Sequence, residues 1–317
     1  MRLLRFADLN SSKNKTPSVV TIGNFDGMHL GHQSILNHVA KLAKTLRLTS
    51  NVICFEPQPK EFFLKDQAPP RITPFRDKLQ ALQKHHIDQV LCLAFNQKLA
   101  SLDPHEFIEK ILVYGLNAKH VIVGDDFRFG HKREGDFTLL KELGLKFGFN
   151  VESLPSFVQN GGVRVSSSYI RILLQQGNFE QAQTLLGHSY TLSGRIHHGN
   201  QNGRKLGFPT INIPMPTQVV VSGVYVVNIH LKGQVYQGIA NIGVRPTVCG
   251  RLRLLETYIF NFAHDLYGQY VTIEFLQFLR GEKKFSGFEE LKLQIEQDKT
   301  TALSWLKQHN LITHLKV

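Results

Sequence analysis

Two histidines, His29 and His32, stand three residues apart in the stretch IGNFDGMHLGHQ (22–33), between a short apolar run and an amphipathic one. Gly23, Gly27 and Gly31 let the backbone come close to a ligand, and the amides that open a helix near Ser34 offer donors and a positive dipole end to an anion. In such a turn both imidazoles can face that anion, which makes a phosphate clamp. One isolated histidine near a helix start reads as a cap or a surface group; two inside a glycine-rich strand-to-helix turn favour the clamp. A second stretch, GRIHHGNQNGRKLGFPTINI (194–213), carries Gly194, Gly199, Gly203 and Gly207. That spacing is expected where a backbone wraps a phosphate without a Walker lysine. His197 and His198 adjoin these glycines, and since strand neighbours point to opposite faces, at most one of them faces a nucleotide.

The elements that must position these groups have two rhythms. Residues 17–185 alternate short apolar runs with amphipathic stretches, the pattern of a parallel sheet with crossover helices. Strands are predicted at 19–22, 51–55, 89–95, 120–123 and 151–154, and helices at 34–49, 74–86, 104–116 and 137–147. Open sheets of this kind bind ligands at the carboxyl ends of their strands. Two further helices, 168–176 and 179–186, lead to Gly187, after which β-rich runs at 190–196, 223–231, 234–243, 254–260 and 270–278 follow one another with turns only. The expected class is α/β: a doubly wound parallel-sheet domain at 1–185, then a small antiparallel barrel or sandwich at 186–317 closed by a helix over 287–308.

The chain has 317 residues, 42% hydrophobic and 20% charged, which excludes the disordered and collagen-like classes. Its net charge of +12 divides as +6 in 1–185 and +6 in 186–317, and no Lys/Arg block forms a nucleic-acid arm. The charge therefore fits phosphate-rich small ligands better than a duplex, and no nucleic-acid partner is expected. Three cysteines, Cys54, Cys92 and Cys249, lie far apart and outside any CxxC pattern, which argues against a disulfide framework and for a reducing cytoplasm. No run approaches the roughly 20 apolar residues of a membrane span, and the N-terminal stretch lacks an apolar core followed by a cleavage site. A cytoplasmic protein without a membrane partner is expected.

The segment GNFDGMHLGH contains the HxGH signature of α/β nucleotidyltransferases, and its ten-residue form resembles that of bacterial bifunctional riboflavin kinase/FAD synthetases. VGDDFRFG (123–130) resembles that family's loop after a strand, and VSSSYIR (165–171) its SSTxxR segment. The resemblance implies adenylyl transfer from ATP to FMN. His29 and His32 would be catalytic, Gly23, Phe25, Gly31, Ser167, Ser168 and Arg171 would bind ATP, and Asp126 would lie near the flavin phosphate or a magnesium ion. Ser168 stands where the family usually has Thr, which keeps the hydroxyl, and Gln58 stands where a His is common, which removes a titratable group. Asp126 also reads as a helix cap ahead of Phe127, and that alternative stays open. Because a phosphate nucleophile is already ionised, this reaction needs alignment and charge stabilisation and no general base.

GRKLGFPTIN resembles the riboflavin kinase signature GRxLGFPTxN, and further similarity runs through GVYVV, GIANIGVRPTV, LETYIF, LYG and FLRGEKKF. The resemblance implies that Gly203 binds ATP phosphate, that Thr210 and Asn212 bind ATP phosphates and magnesium, and that Glu256 is the base for a ribityl hydroxyl attacking the γ-phosphate. A solvent-facing strand carboxylate is the plain alternative for Glu256. Arg280 reads equally as a flavin contact and as an anchor for the terminal helix. Tyr258 replaces a common His and Asn261 a common Asp. Phe62 and Phe127 could stack on an isoalloxazine ring, though in a chain with 22 Phe each reads first as core. Mg2+ is the implied cofactor, and ATP, riboflavin and FMN the substrates. Two rivals remain: a chain with only one of the two activities, and a flavin-sensing nucleic-acid binder, which the absence of a helix-turn-helix or RNP signature disfavours.

Overall fold

The computed structural model describes residues 1–10, 16–159, 162–199, 203, 206–215, 218–247, 250–262 and 264–311. Arg204 and Lys205 of the second glycine-rich stretch, and Cys249, lie outside them. The chain forms two compact units, Met1–Pro69 with Lys78–Ser166, and Pro70–Asp77 with Ser167–Val317.

The first unit is built on a six-stranded parallel sheet in the order β1-β4-β3-β2-β5-β6. Its strands are β1 (Arg2–Leu4), β2 (Ser18–Ile22), β3 (Thr49–Glu56), β4 (Gln89–Ala94), β5 (Ala118–Gly124) and β6 (Asn150–Leu154). Every residue of β2 is buried, Ser18 and Thr21 included, which is why it does not alternate between apolar and polar residues. Crossovers carry α1 (Leu30–Leu46), α2 (Pro59–Leu64), α3 (Phe75–Lys84), α4 (Gln97–Ala100), α5 (Pro104–Phe107) and α6 (Phe137–Phe147). From β2 the chain steps to β3 and β4 on one side, then jumps to β5 on the other side of β2. The topological switch point therefore lies at the carboxyl ends of β2 and β5, where an open sheet presents its ligand crevice.

In the first unit the 104–116 stretch and the N-terminal edge strand differ from the sequence expectation. The stretch read as one helix over 104–116 is a single α-turn continued by a π-helical turn at Ile108–Val113, with Ile108, Ile111 and Leu112 still turned into the core. The edge strand β1 was not anticipated. Three residues are too few to show a period, and the strand exists because Arg2–Leu4 pairs in parallel with Gln89–Leu91 of β4.

The second unit is a six-stranded antiparallel sheet in the order β7-β12-β9-β10-β11-β8. It comprises β7 (Thr191–Arg195), β8 (Thr210–Met215), β9 (Gly223–Leu231), β10 (Gln234–Thr247), β11 (Gly250–Ile259) and β12 (Tyr270–Arg280), preceded by α7 (Ser167–Gln175) and α8 (Phe179–Leu186) and followed by α9 (Phe288–Gln308). The two outer strands meet through the His197–Asn212 bridge, with His197 N donating to Asn212 O at 2.8 Å, so the sheet curls into a near-barrel. The strand β8 is the second strand of the strand-turn-strand pattern in the glycine-rich stretch 194–213.

The segment 70–77 is held by this barrel. Arg71 N donates to Gln218 O at 2.8 Å, Val220 N to Arg71 O at 2.9 Å, and the Arg76 guanidinium lies 3.8 Å from the centre of the Tyr270 ring. Helix α8 packs there too: Phe179 touches Tyr225 edge-on with ring centroids 5.7 Å apart and stacks on Phe275 at 6.1 Å. Phe179 is buried, so Phe179→Ala removes a ring from a closed aromatic cluster. A loss of about 3–5 kcal/mol in the stability of the second unit is expected, measured as a fall in its denaturant midpoint.

Candidate functional sites

In the first unit the loop after β2 carries His29 and His32 to the crevice. Helix α1 begins at Leu30, four residues ahead of the expected start, because His29 is its N-cap: its Nδ1 accepts from His32 N at 3.3 Å. The two imidazoles stack with centroids 3.6 Å apart and planes 16° from parallel. Gly31 permits this, since a Cβ there would meet the His29 ring at 3.3 Å and Phe157 Cβ at 3.4 Å. The loop is also strained. Phe25 (φ 48°) and Met28 (φ 47°) sit in the left-handed region without being glycine, at a cost of about 1–3 kcal/mol each. Both side chains are 2% exposed, so apolar burial holds the conformation. The Phe25 ring lies 5.2 Å from that of His32, and Gly23 leaves room for its edge, a Cβ there coming within 3.1 Å of the ring.

His32 Nδ1 is sealed from solvent and has no hydrogen-bond partner among the described residues. Burial holds its pKa well below the usual histidine value, and the neighbouring charges of His29 and then Lys78 add to the effect. The ring is therefore neutral at neutral pH, and an anion placed against it would draw its pKa back up. Gln58 Nε2, beyond the end of β3, is likewise buried and unpartnered. Sequence reasoning had set Gln58 aside as a non-titrating replacement; its burial is the signal that the letters lacked.

Asp126 follows β5 in a turn closed by Phe127 N donating to Gly124 O at 3.2 Å, so it caps no helix. Its side chain is largely exposed and pairs with Arg164 at 3.2 Å. Its neighbour Asp125 accepts from Ser156 N and Oγ, which hold its carboxyl below the usual range. Phe127 stacks on Phe129 against the core, whereas Phe55, Phe62, Phe63 and Phe95 form an edge-to-face cluster at the carboxyl ends of β3 and β4. Ser167, Ser168 and Arg171 open α7 in the second unit, and Arg171 Nε donates to Pro70 O at 2.8 Å.

In the second unit Gly203, Thr210, Asn212, Glu256 and Arg280 all line one cavity of about 250 Å³. Strand register explains why. Asn212 of β8 lies opposite Glu256 of β11, which lies opposite Asn241 of β10, which lies opposite Val224 of β9. Directly opposed residues share a face, so a transverse row of amide, carboxylate and amide opens into the cavity, with Glu256 half-buried at its centre. Asn241 was not singled out in the sequence, although it stands in the GIANIG stretch; only the register gives it a place beside Glu256. Much of the rest of the wall is apolar and aromatic, including Leu206, Phe208, Tyr258 and Phe288, with Glu282, Lys283 and Asp298 as its further charged members.

A second cavity of about 300 Å³, lined by Ile196, Pro209, Ile211, His264, Leu266 and Tyr267 among others, shares Thr210 with the first. Gly199 backs onto the Asn212 amide, and a Cβ there would lie 2.5 Å from its Nδ2. Asn212 Nδ2 reaches Thr210 O at 3.4 Å. Arg280 lines the first cavity and also grips Asp298 of α9, Nε to Oδ1 at 2.9 Å and Nη2 to Oδ2 at 2.7 Å, so one guanidinium serves the wall and the helix anchor. His197 and His198 are both exposed, and the His198 ring stacks on Tyr267 with centroids 3.5 Å apart. Among the described residues no group of three or more His, Cys, Asp or Glu could hold a metal ion. A hard cation here would rely on hydroxyl and amide oxygens together with ligand phosphates.

The FAD synthetase family profile matches residues 11–169 and the riboflavin kinase profile residues 186–306. The bifunctional riboflavin kinase/FMN adenylyltransferase of Escherichia coli (strain K12) is 43% identical over 304 residues, covering 95% of this chain and 97% of that protein. That of Pseudomonas fluorescens is 45% identical over 286 residues, covering 90% and 91%. A solved structure titled as a macrolide-efflux protein from Streptococcus pneumoniae superposes with a TM-score of 0.76 at 28% identity, covering 96% of this chain and 100% of that one. Among the described residues of this chain no helix is long and apolar enough to cross a membrane.

The depressed His32 pKa has a measurable consequence. In the folded chain His32 stays neutral well below 6.5, while the unfolded chain takes up a proton as the pH falls through about 6.5. The unfolded state then binds more protons, so this contribution to stability is complete above that pH and is lost as the pH drops below it. The denaturant midpoint of the first unit should fall between pH 6.5 and pH 5, with His32 contributing at most about 2 kcal/mol. In His32→Gln the fall should be smaller.

Proposed function

The chain belongs to the bifunctional riboflavin kinase/FMN adenylyltransferase family, and from that premise we propose which of its residues carry each reaction. The protein phosphorylates riboflavin with ATP to give FMN, and transfers the adenylyl group of ATP to FMN to give FAD and pyrophosphate. We assign the kinase to 186–317 and the adenylyltransferase to 1–185. The observation that carries the kinase assignment is the row Asn212–Glu256–Asn241, set by strand register, on the wall of a cavity rich in apolar and aromatic side chains.

That cavity suits riboflavin: its aromatic wall matches a flat ring system, and of its carboxylates Glu256 is the one held by strand register between Asn212 and Asn241. The second cavity, apolar apart from His264 and Asp265, suits an adenine, and Thr210, common to both, lies where a triphosphate would pass between them. Glu256 takes the proton from the ribityl hydroxyl as its oxygen bonds to the γ-phosphorus, and the bond to the β-bridging oxygen breaks to release ADP. Mg2+ would be held by Thr210 Oγ1 and Asn212 Oδ1, and when bound it neutralises phosphate charge. Gly203 supplies close backbone approach. Arg280, fixed by Asp298, keeps the α9 side of the flavin pocket in place.

In the first unit an oxygen of the FMN phosphate bonds to the α-phosphorus of ATP, and the bond to the bridging oxygen breaks to release pyrophosphate. No proton need be removed. The stacked His29 and His32 rings, backed by Phe25, Gly23 and Gly31, hydrogen-bond the phosphates, and the neutral, desolvated His32 interacts more strongly as charge develops. Asp126 binds the FMN end, where a second magnesium ion would also be held. The Phe62 cluster offers a face for the isoalloxazine ring. A reducing cytoplasm suits the free thiols of Cys54 and Cys92.

His29→Asn keeps a side-chain acceptor at the α1 N-cap while removing the ring. It should lower FAD formation from FMN by about 10²–10⁴-fold and leave FMN formation from riboflavin unchanged; Glu256→Gln should do the reverse. Chromatographic separation of the flavins checks both, and loss of both activities from either change would sink the assignment to separate sites.

A further inference from the structure

The first unit buries a charged group that neither reaction has yet used. Lys78 is 0% exposed, and its Nζ has no hydrogen-bond partner among the described residues. It shares the buried face of α3 with Leu82, one turn further on. A buried ammonium without a hydrogen-bond partner is a costly feature for a fold to carry. Such a group is consistent with a place kept for an anion.

Its position identifies that anion. Helices α1 and α3 follow the adjacent parallel strands β2 and β3, and just past the end of α3 His85 Nδ1 lies 2.9 Å from Asn37 Oδ1 of α1. Counting back along each helix at about 1.5 Å per residue puts Lys78 roughly 10 Å and His32 roughly 8 Å from that contact, both toward the helix N-termini. There the carboxyl ends of the strands open the crevice. The charge of Lys78 acts on His32, and also on Cys54 and Cys92, which face each other across β3 and β4. Lys78 Nζ, His32 Nδ1 and Gln58 Nε2 are thus three buried nitrogens without partners, contributed by α3, α1 and the end of β3.

We propose that Lys78 is a substrate-binding residue of the adenylyl transfer, its buried ammonium taking a polyphosphate oxygen of ATP beside His32. The proposal rests on the adenylyltransferase reading of the first unit. As the bond to the α-phosphorus breaks, negative charge gathers on the departing pyrophosphate, and a fixed ammonium in a dry site favours that charge more than the ground state. Neutral helix-opening amides alone would leave most of it unbalanced.

The test uses the full chain with Lys78→Met, which keeps the length of the side chain and removes the charge, and Lys78→Gln as a second variant should the first not fold. Inorganic pyrophosphate is the probe for binding, read as the rise in melting temperature that it causes. The expected result has three parts. The ligand-free variant melts no lower than the parent, the pyrophosphate-induced rise is lost, and KM for ATP in FAD formation rises about 10-fold or more while KM for FMN stays within about 2-fold. A variant that keeps the full pyrophosphate response overturns the proposal. So does a KM change that falls on FMN instead of ATP. A parent protein that makes no FAD from FMN defeats the adenylyltransferase reading instead, and the pyrophosphate response still judges Lys78 by itself.

Discussion

A buried polar group without a partner costs a folded protein about 1–3 kcal/mol, and a buried unpaired charge more. The first unit nonetheless carries His32 Nδ1, Gln58 Nε2 and Lys78 Nζ in that condition. It also holds Phe25 and Met28 in left-handed backbone conformations beside them. These costs are local, while the compensation is spread through the sheet: β2 is buried along its whole length, and Leu36 and Val39 fasten α1 beneath the histidine loop. The crevice is thus organised by the fold itself, and the polyphosphate proposed for it would satisfy groups that folding left without partners.

The second unit arranges its polar groups by another route. Its polar groups are aligned by strand register, since Asn212, Glu256 and Asn241 come from three strands and lie in one row only if β8, β11 and β10 keep their pairing. A one-residue slip of β11 would send Glu256 to the opposite face. Closure through the His197–Asn212 bridge and the Arg280–Asp298 grip on α9 hold the cavity's two sides, so the barrel serves as the positioning device for one carboxylate.

Contiguous features were legible in the sequence. The glycine-rich turns, the two histidines, the parallel and antiparallel rhythms and the helix at 137–147 are carried by neighbouring residues, and the fold realises them. What depended on distant pairing was not legible: β1 exists only through β4, and Asn241 joins Glu256 only through register. Lys78 is instructive, because Phe75, Lys78, Leu79 and Leu82 follow helical spacing and place a lysine within the apolar stripe. Periodicity alone reads such a lysine as one that reaches outward to water; burial shows that it does not. Likewise α1 starts at Leu30 because His29 supplies the capping acceptor, a role that composition assigns first to Ser, Thr, Asp or Asn.

The central claim is that one chain performs two successive phosphorus transfers at separate sites. The most direct measurement is a time course with the purified protein, riboflavin, ATP and magnesium, with the three flavins separated at each point. The account predicts that FMN accumulates first and FAD follows at its expense. FMN that never becomes FAD, or riboflavin that is never consumed while added FMN is adenylylated, would contradict it.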